Sequence, residues 1–167
     1  MKWIKDWMVK RQVNAKLHML KAKDVRIPQE IKTIGIIAAS SADFELTKET
    51  VRQLWGYKVR VIGFYYEENK DQPVDSMSYK HFDLLGNPTA YFNAFMTEKL
   101  DIILVPSLHL NPYLRYLLLS NKCNFNLGFY TEENEPYLDL MLQYGEGDLE
   151  KNIYQLINYL HKIQEAC

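Results

Sequence analysis

The sequence predicts a three-layer α/β domain on a mainly parallel sheet, with a basic helical arm ahead of it. Three features point there. Short, nearly all-apolar runs recur along the chain, as in strands covered on both faces. Most of them are followed by a cap residue and a helical period. The spacing from run to run suits the crossover connections that parallel strands require.

Residues 1–28 make the arm and 29–167 the domain. A helix is expected from about Trp3 to Lys23, a stretch without Gly or Pro and rich in Lys, Leu, Met and Ala; Pro28 closes it. At ~100° per residue, Trp3, Ile4, Trp7 and Met8 form one apolar stripe, and Val13, Leu17 and Leu20 a second. Lys2, Lys5, Lys16 and Lys23 share a side.

Thr33-Ile-Gly-Ile-Ile-Ala-Ala39 reads as the first strand, and Ser40 with Asp43 fits the S-x-x-D cap of a helix. That helix runs to Trp55, turns Phe44, Val51, Leu54 and Trp55 inward, and stops at Gly56. Lys58 to Tyr65, β-branched and aromatic, is the second strand. Glu67 to Ser78 is a loop, and Tyr79 to Phe82 a short strand before the Gly86-Asn87-Pro88 turn. Asn87 and Pro88 start a helix that buries Tyr91, Phe92, Phe95 and Met96. Asp101 to Pro106 is a third clear strand. Asn111 and Pro112 open a helix to about Leu119. Phe125 to Tyr130 and Tyr137 to Leu142 are further strands. Asp148 caps a last helix, where Leu149, Ile153, Leu156, Ile157, Leu160 and Ile163 recur at the 3/4 spacing. The alternation is Rossmann-like.

Composition bounds the function. The chain has 167 residues, 47% hydrophobic and 25% charged, which suits one compact domain and excludes a disordered one. No run approaches ~18 uncharged apolar residues, so no helix is expected to cross a bilayer. A net charge of −1 excludes a generally basic nucleic-acid binder. Two cysteines, Cys123 and Cys167, give no disulfide framework and suit a reducing compartment. The charge is nevertheless split. Residues 1–33 carry nine bases against three acids, +6, and the rest of the chain 11 against 18, −7. Asp6, Lys5 and Lys10 interrupt every candidate for the apolar core of a secretory signal, and no Ser occurs in residues 1–33, so a cytoplasmic location is expected.

The turn after the first strand, Ala38-Ala-Ser-Ser-Ala-Asp43, has no glycine for a pyrophosphate to approach. The chain has no P-loop, no H-E-x-x-H, no C-x-x-C and no G-x-S-x-G. His18, His81, His109 and His161 stand at no ligand spacing, and Cys123 has no Cys or His beside it, so neither a metal nor a cofactor is expected. Ligands of open parallel sheets sit beyond the strands' carboxyl ends. That rule collects Ser40, Ser41, Asp43, Ser107 and His109 as a candidate cleft, although Ser40 and Ser41 serve equally as helix caps.

Several segments together resemble an uncharacterised bacterial family of short, single-domain proteins. They are the basic arm, Thr33-Ile-Gly-Ile-Ile, His81-Phe-Asp-Leu-Leu-Gly86, Asp101-Ile-Ile-Leu-Val105, Leu127-Gly-Phe and Tyr137-Leu-Asp-Leu-Met141. The resemblance implies no assigned activity and no catalytic residues. The leading expectation is a non-enzymatic adaptor whose arm, through Lys2, Trp3, Lys5, Trp7, Lys10, Arg11 and Lys16, docks on an anionic partner. RNA or the ribosome, an acidic protein and a membrane surface all have that chemistry. One alternative is an enzyme for a small molecule or nucleotide, working in the strand-end cleft. Another is an arm that docks on its own acidic body or builds a homodimer.

Overall fold

A computed structural model describes residues 1–20, 24–69, 71–123 and 125–167. Six strands, β1 (Thr33–Ala38), β2 (Arg60–Tyr66), β3 (Ser76–Met77), β4 (Ile102–Val105), β5 (Asn126–Phe129) and β6 (Leu140–Leu142), form one parallel sheet. Their order is β3-β2-β1-β4-β5-β6, that of doubly wound Rossmann-like folds. β1 lies between β2 and β4, Ile34 pairing with Val61 on one side and Ile102 on the other. The order reverses there, so the topological switch point lies beyond Ala38 and Val105.

Alternation along the strands feeds two cores. Ile34, Ile36 and Ala38 face Phe44 and Val51 of α2 (Ser41–Trp55) and Ile153, Leu156 and Ile157 of α5 (Leu149–Ala166). Ile37 and Phe64 face the opposite way, toward Phe92, Phe95 of α3 (Asn93–Thr97), and Leu114 and Leu117 of α4 (Pro112–Ser120). The helix ends follow from their caps. Ser40 Oγ accepts from the Asp43 amide at 3.2 Å, Asn111 Oδ1 from Leu114 at 3.1 Å, and Asp148 Oδ1 from Lys151 at 3.0 Å. Gly56, at φ +66°, stops α2.

Some expected elements differ. Tyr79–His81 is a 3-10 turn rather than a strand, because Ser78 and His81 cap it reciprocally: Ser78 Oγ accepts from the Lys80 amide and His81 Nδ1 from the Ser78 amide. The short edge strand sits just before it. No helix starts at Pro88, which instead bridges to Phe82; the Asp83 carboxylate ties down the amides of Leu85 and Asn87 and holds this stretch as a turn. The chain then passes through Ala90–Phe92 as a 3-10 turn into α3. The last strand is shortened to Leu140–Leu142 by a 3-10 turn at Glu135–Tyr137 that carries Pro136. In α2, Leu54 is exposed, and Thr47 and Thr50 are buried in its stead, each hydroxyl donating to the carbonyl four residues back.

The basic arm is helix α1 (Lys2–Met19), and it lies along α4 on the Ile37 side of the sheet. The expected extension to Lys23 lies outside the described residues. Val9 and Val13 are fully buried among Phe82, Tyr113 and Tyr116, with Leu17 packed beside them. Each valine contributes about 1.5–3 kcal/mol on burial. The orientation reverses the usual amphipathic arrangement. The lysine side faces the protein, and the Trp3–Trp7 stripe faces solvent.

Candidate functional site

At the switch point, Ser40, Asp43 and Ser107 meet. Ser107 Oγ accepts the Ala39 amide proton at 2.8 Å and donates to Asp43 Oδ2 at 2.7 Å. A cleft of about 270 Å³ remains beside them, lined by Leu108, Tyr144 and Leu149 as well. Ser41 is exposed at the start of α2. His109 does not join the network: it is exposed, and its Nδ1 lies 3.7 Å from Glu133. Ser107 is thus occupied by an amide and a carboxylate, with no imidazole to take its proton. Residues 130–150, which include the loops after β5 and β6, hold seven carboxylates and no lysine or arginine. That charge opposes a phosphate.

A second polar cluster lies beneath the first half of α1. The Tyr66 phenol, at the end of β2, donates to Glu68 at 2.7 Å, and Lys2 pairs with the same carboxylate. The Tyr113 phenol, in the first turn of α4, donates to Asp6 at 2.6 Å. The two rings stack with centroids 5.8 Å apart. Lys5 donates to the carbonyls of Tyr79 (3.3 Å) and Phe82 (2.6 Å), and Gln12 to that of Leu85 (2.6 Å). Lys16 lies 5.0 Å over the Tyr116 ring. Three lysines of the expected partner-binding arm are therefore engaged by the protein itself, because this surface offers a carboxylate, open carbonyls and aromatic faces. Their aliphatic stems cover the apolar surface around Val9.

Burial pushes both phenols up, and the carboxylates they bond push them further. Glu68 is held low by Lys2 and Tyr66. The tyrosines are thus hydrogen-bond donors at neutral pH, with no basic character. A phenol whose folded value is raised contributes stability that is complete below its ordinary pKa of about 10 and is lost as pH climbs through the folded value. Thermal melts by circular dichroism will show the melting temperature falling above about pH 10. Tyr113→Phe will flatten part of that decline, while lowering stability at neutral pH by about 1–2 kcal/mol.

The outward side of α1 is different. Trp3 and Trp7, one turn apart, are 73% and 57% exposed. Lys10 and Arg11 are exposed on the same side, the Arg11 guanidinium 5.7 Å over the Trp7 ring. Ile4 and Met8 are partly exposed. The one carboxylate of α1, Asp6, is turned to Tyr113. Leu84 and Leu85, exposed in the turn beside α1, and Met1 line a separate groove with Lys2, Lys5 and Tyr79.

A family model spans residues 5–163, from inside α1 to the last turns of α5. The chain belongs to this family of unknown function (DUF6913). No curated protein and no solved structure matches it. The DUF6913 match takes in Val9 and Val13, so most of α1 lies within the family's common unit rather than ahead of it. No helix among the described residues is long and apolar enough to cross a membrane. The same residues contain no cluster of three His, Cys, Asp or Glu side chains that would hold a metal. His18 and His161 are exposed, and half-buried His81 stacks on Tyr91. Sequence reasoning did not find Glu68 and Tyr113. Their partners in α1 are 66 and 107 residues away, and no local pattern announces such pairs.

Proposed function

We propose that this DUF6913 chain is a docking module that settles on an anionic membrane surface through the outward side of α1. One observation carries the reading: Trp3 and Trp7 stand 73% and 57% exposed on a helix whose opposite side is fixed in the core. Leaving two indoles in water is costly, and their amphipathic rings suit the headgroup boundary of a bilayer. Lys10 and Arg11, both exposed, supply the attraction to anionic lipid. The excess of acids in the rest of the chain favours approach with α1 foremost. The geometry disfavours nucleic acid. With Lys2, Lys5 and Lys16 held by the body, too few cations remain in α1 for the several phosphate contacts that such binding draws on.

The test is sedimentation with vesicles of phosphatidylcholine, with and without a third of phosphatidylglycerol. Binding is expected only with the anionic lipid, accompanied by a blue shift of tryptophan emission. The double variant Trp3→Ala/Trp7→Ala will weaken partitioning at least about tenfold. Lys10→Glu/Arg11→Glu will abolish the dependence on phosphatidylglycerol. Equal binding by wild type and the tryptophan variant, or salt-sensitive binding to RNA without vesicle binding, would overturn the reading.

A further inference from the structure

We infer that the groove between the first turns of α1 and residues 79–85 holds the aliphatic chain of a single anionic amphiphile. The occupant is a fatty acid or one acyl chain of an anionic lipid. The inference deepens the docking reading, and it rests on that reading where the bilayer is the source. The groove has a volume of about 600 Å³, inside the ~300–1,000 Å³ of small-molecule sites, and its wall is mostly apolar. The cleft beside Ser107, at about 270 Å³, falls below that range. Met1, Leu84 and Leu85 form the apolar wall, and the leucines are 46% and 62% exposed.

Charge selects the head. Lys2 and Lys5 line the groove, their ammonium groups 5.5 and 5.8 Å from the centre of the Tyr79 ring. The Lys2 charge is matched by Glu68. Lys5 is bonded to two neutral carbonyls, which leaves it one N–H, and its charge also helps hold the Asp83 carboxylate low. Asp83, the acid on the wall, is turned to its own loop, accepting from the Leu85 and Asn87 amides and the Asn87 side chain at 2.8, 2.8 and 3.1 Å. A carboxylate or phosphate head at Lys5 gains a charge-assisted hydrogen bond, and its tail follows the leucines. Met8, whose backbone runs against Gly86 of this turn, stands between the groove and the Trp3–Trp7 side. A lipid chain drawn from a docked bilayer has a short path.

The experiment measures displacement of a fluorescent fatty acid from the full chain by decanoate, laurate and oleate, with oleyl alcohol as the uncharged counterpart. Affinity should rise about two- to fourfold per added methylene until the groove is full, then level off. Oleyl alcohol should bind about tenfold more weakly than oleate, and Lys5→Gln should remove that difference. Leu85→Asp, and independently Leu84→Asp, should weaken oleate about tenfold or more without lowering the melting temperature, since both leucines are exposed. If these variants also lose vesicle binding, the bilayer supplies the ligand; if only oleate binding falls, a free fatty acid does. Trp3→Ala/Trp7→Ala should leave oleate binding intact, which separates the groove from the docking side. Absence of saturable oleate binding, or equal binding by wild type, Lys5→Gln and Leu85→Asp, overturns the groove, whatever the tryptophan variant does on vesicles.

Discussion

Gly63→Ala is expected to lower stability by at least about 3 kcal/mol, or about 6–12 °C in melting temperature for a chain of this size. Gly63 lies in the middle of β2, opposite Ile36 of β1. A Cβ at this position would stand 2.0 Å from the Ile36 carbonyl oxygen and 2.8 Å from its carbonyl carbon and amide nitrogen. The obstruction is backbone, so no rotamer change relieves it. The strands must part at the centre of the sheet, beside the buried Phe44–Tyr65 ring contact, 5.3 Å between centroids. Gly35→Ala makes a useful comparison. Its Cβ would meet the side chains of Leu100 and Ile103 at 2.7 and 2.9 Å, and side chains give way more cheaply than strands. Chemical denaturation of both variants should rank Gly63→Ala well below Gly35→Ala. A Gly63→Ala protein as stable as wild type would mean that β1 and β2 are not paired in this register.

Much of the fold was legible in the sequence because it rests on local chemistry. Ile34 to Ala38 is an apolar run with no other economical conformation, and Ser40, Asn111 and Asp148 cap helices through bonds that span three residues. Misreadings arose where a local signal met a competing local bond. Tyr79–Phe82 has strand-forming residues, yet the reach of His81 back to Ser78 winds it into a turn. Of the residues that the strand-end rule collects, Ser40, Asp43 and Ser107 meet in space. The rule does not say which way a loop side chain leaves, so His109 points elsewhere. The orientation of α1 was the least legible feature. Its apolar residues lie on two opposed sides, Val9 and Val13 on one and Trp3 and Trp7 on the other. Periodicity cannot choose between them; surface chemistry 60 to 110 residues away, at Glu68, Phe82 and Tyr113, does.

Val9→Asp follows from that orientation, and it should cost about 3–5 kcal/mol. Val9 is fully buried between α4 and the turn that carries Phe82. A carboxylate there would be buried among Phe82, Tyr113 and Tyr116, with the Asp6 carboxylate on the same helix. The milder Val9→Ala should cost about 2 kcal/mol, the loss of two buried methyl groups. The location of the damage matters more than its size. Releasing α1 exposes Phe82, Tyr113, Tyr116 and Leu117, which also face the sheet-side core, so the whole chain should melt in one transition at lower temperature. Near-ultraviolet circular dichroism of the tyrosines, followed with amide exchange over residues 2–19, reads both halves at once. An arm independent of the body would lose exchange protection and leave the tyrosine signal and its melting point untouched. That result would return α1 to the status of a free basic tail. It would also remove the rigid scaffold that holds two indoles in water, because a released helix could bury them against itself. For the same reason, deleting residues 1–27 is a poor test of docking: the deletion takes Val9 and Val13 from the core together with Trp3 and Trp7 from the surface.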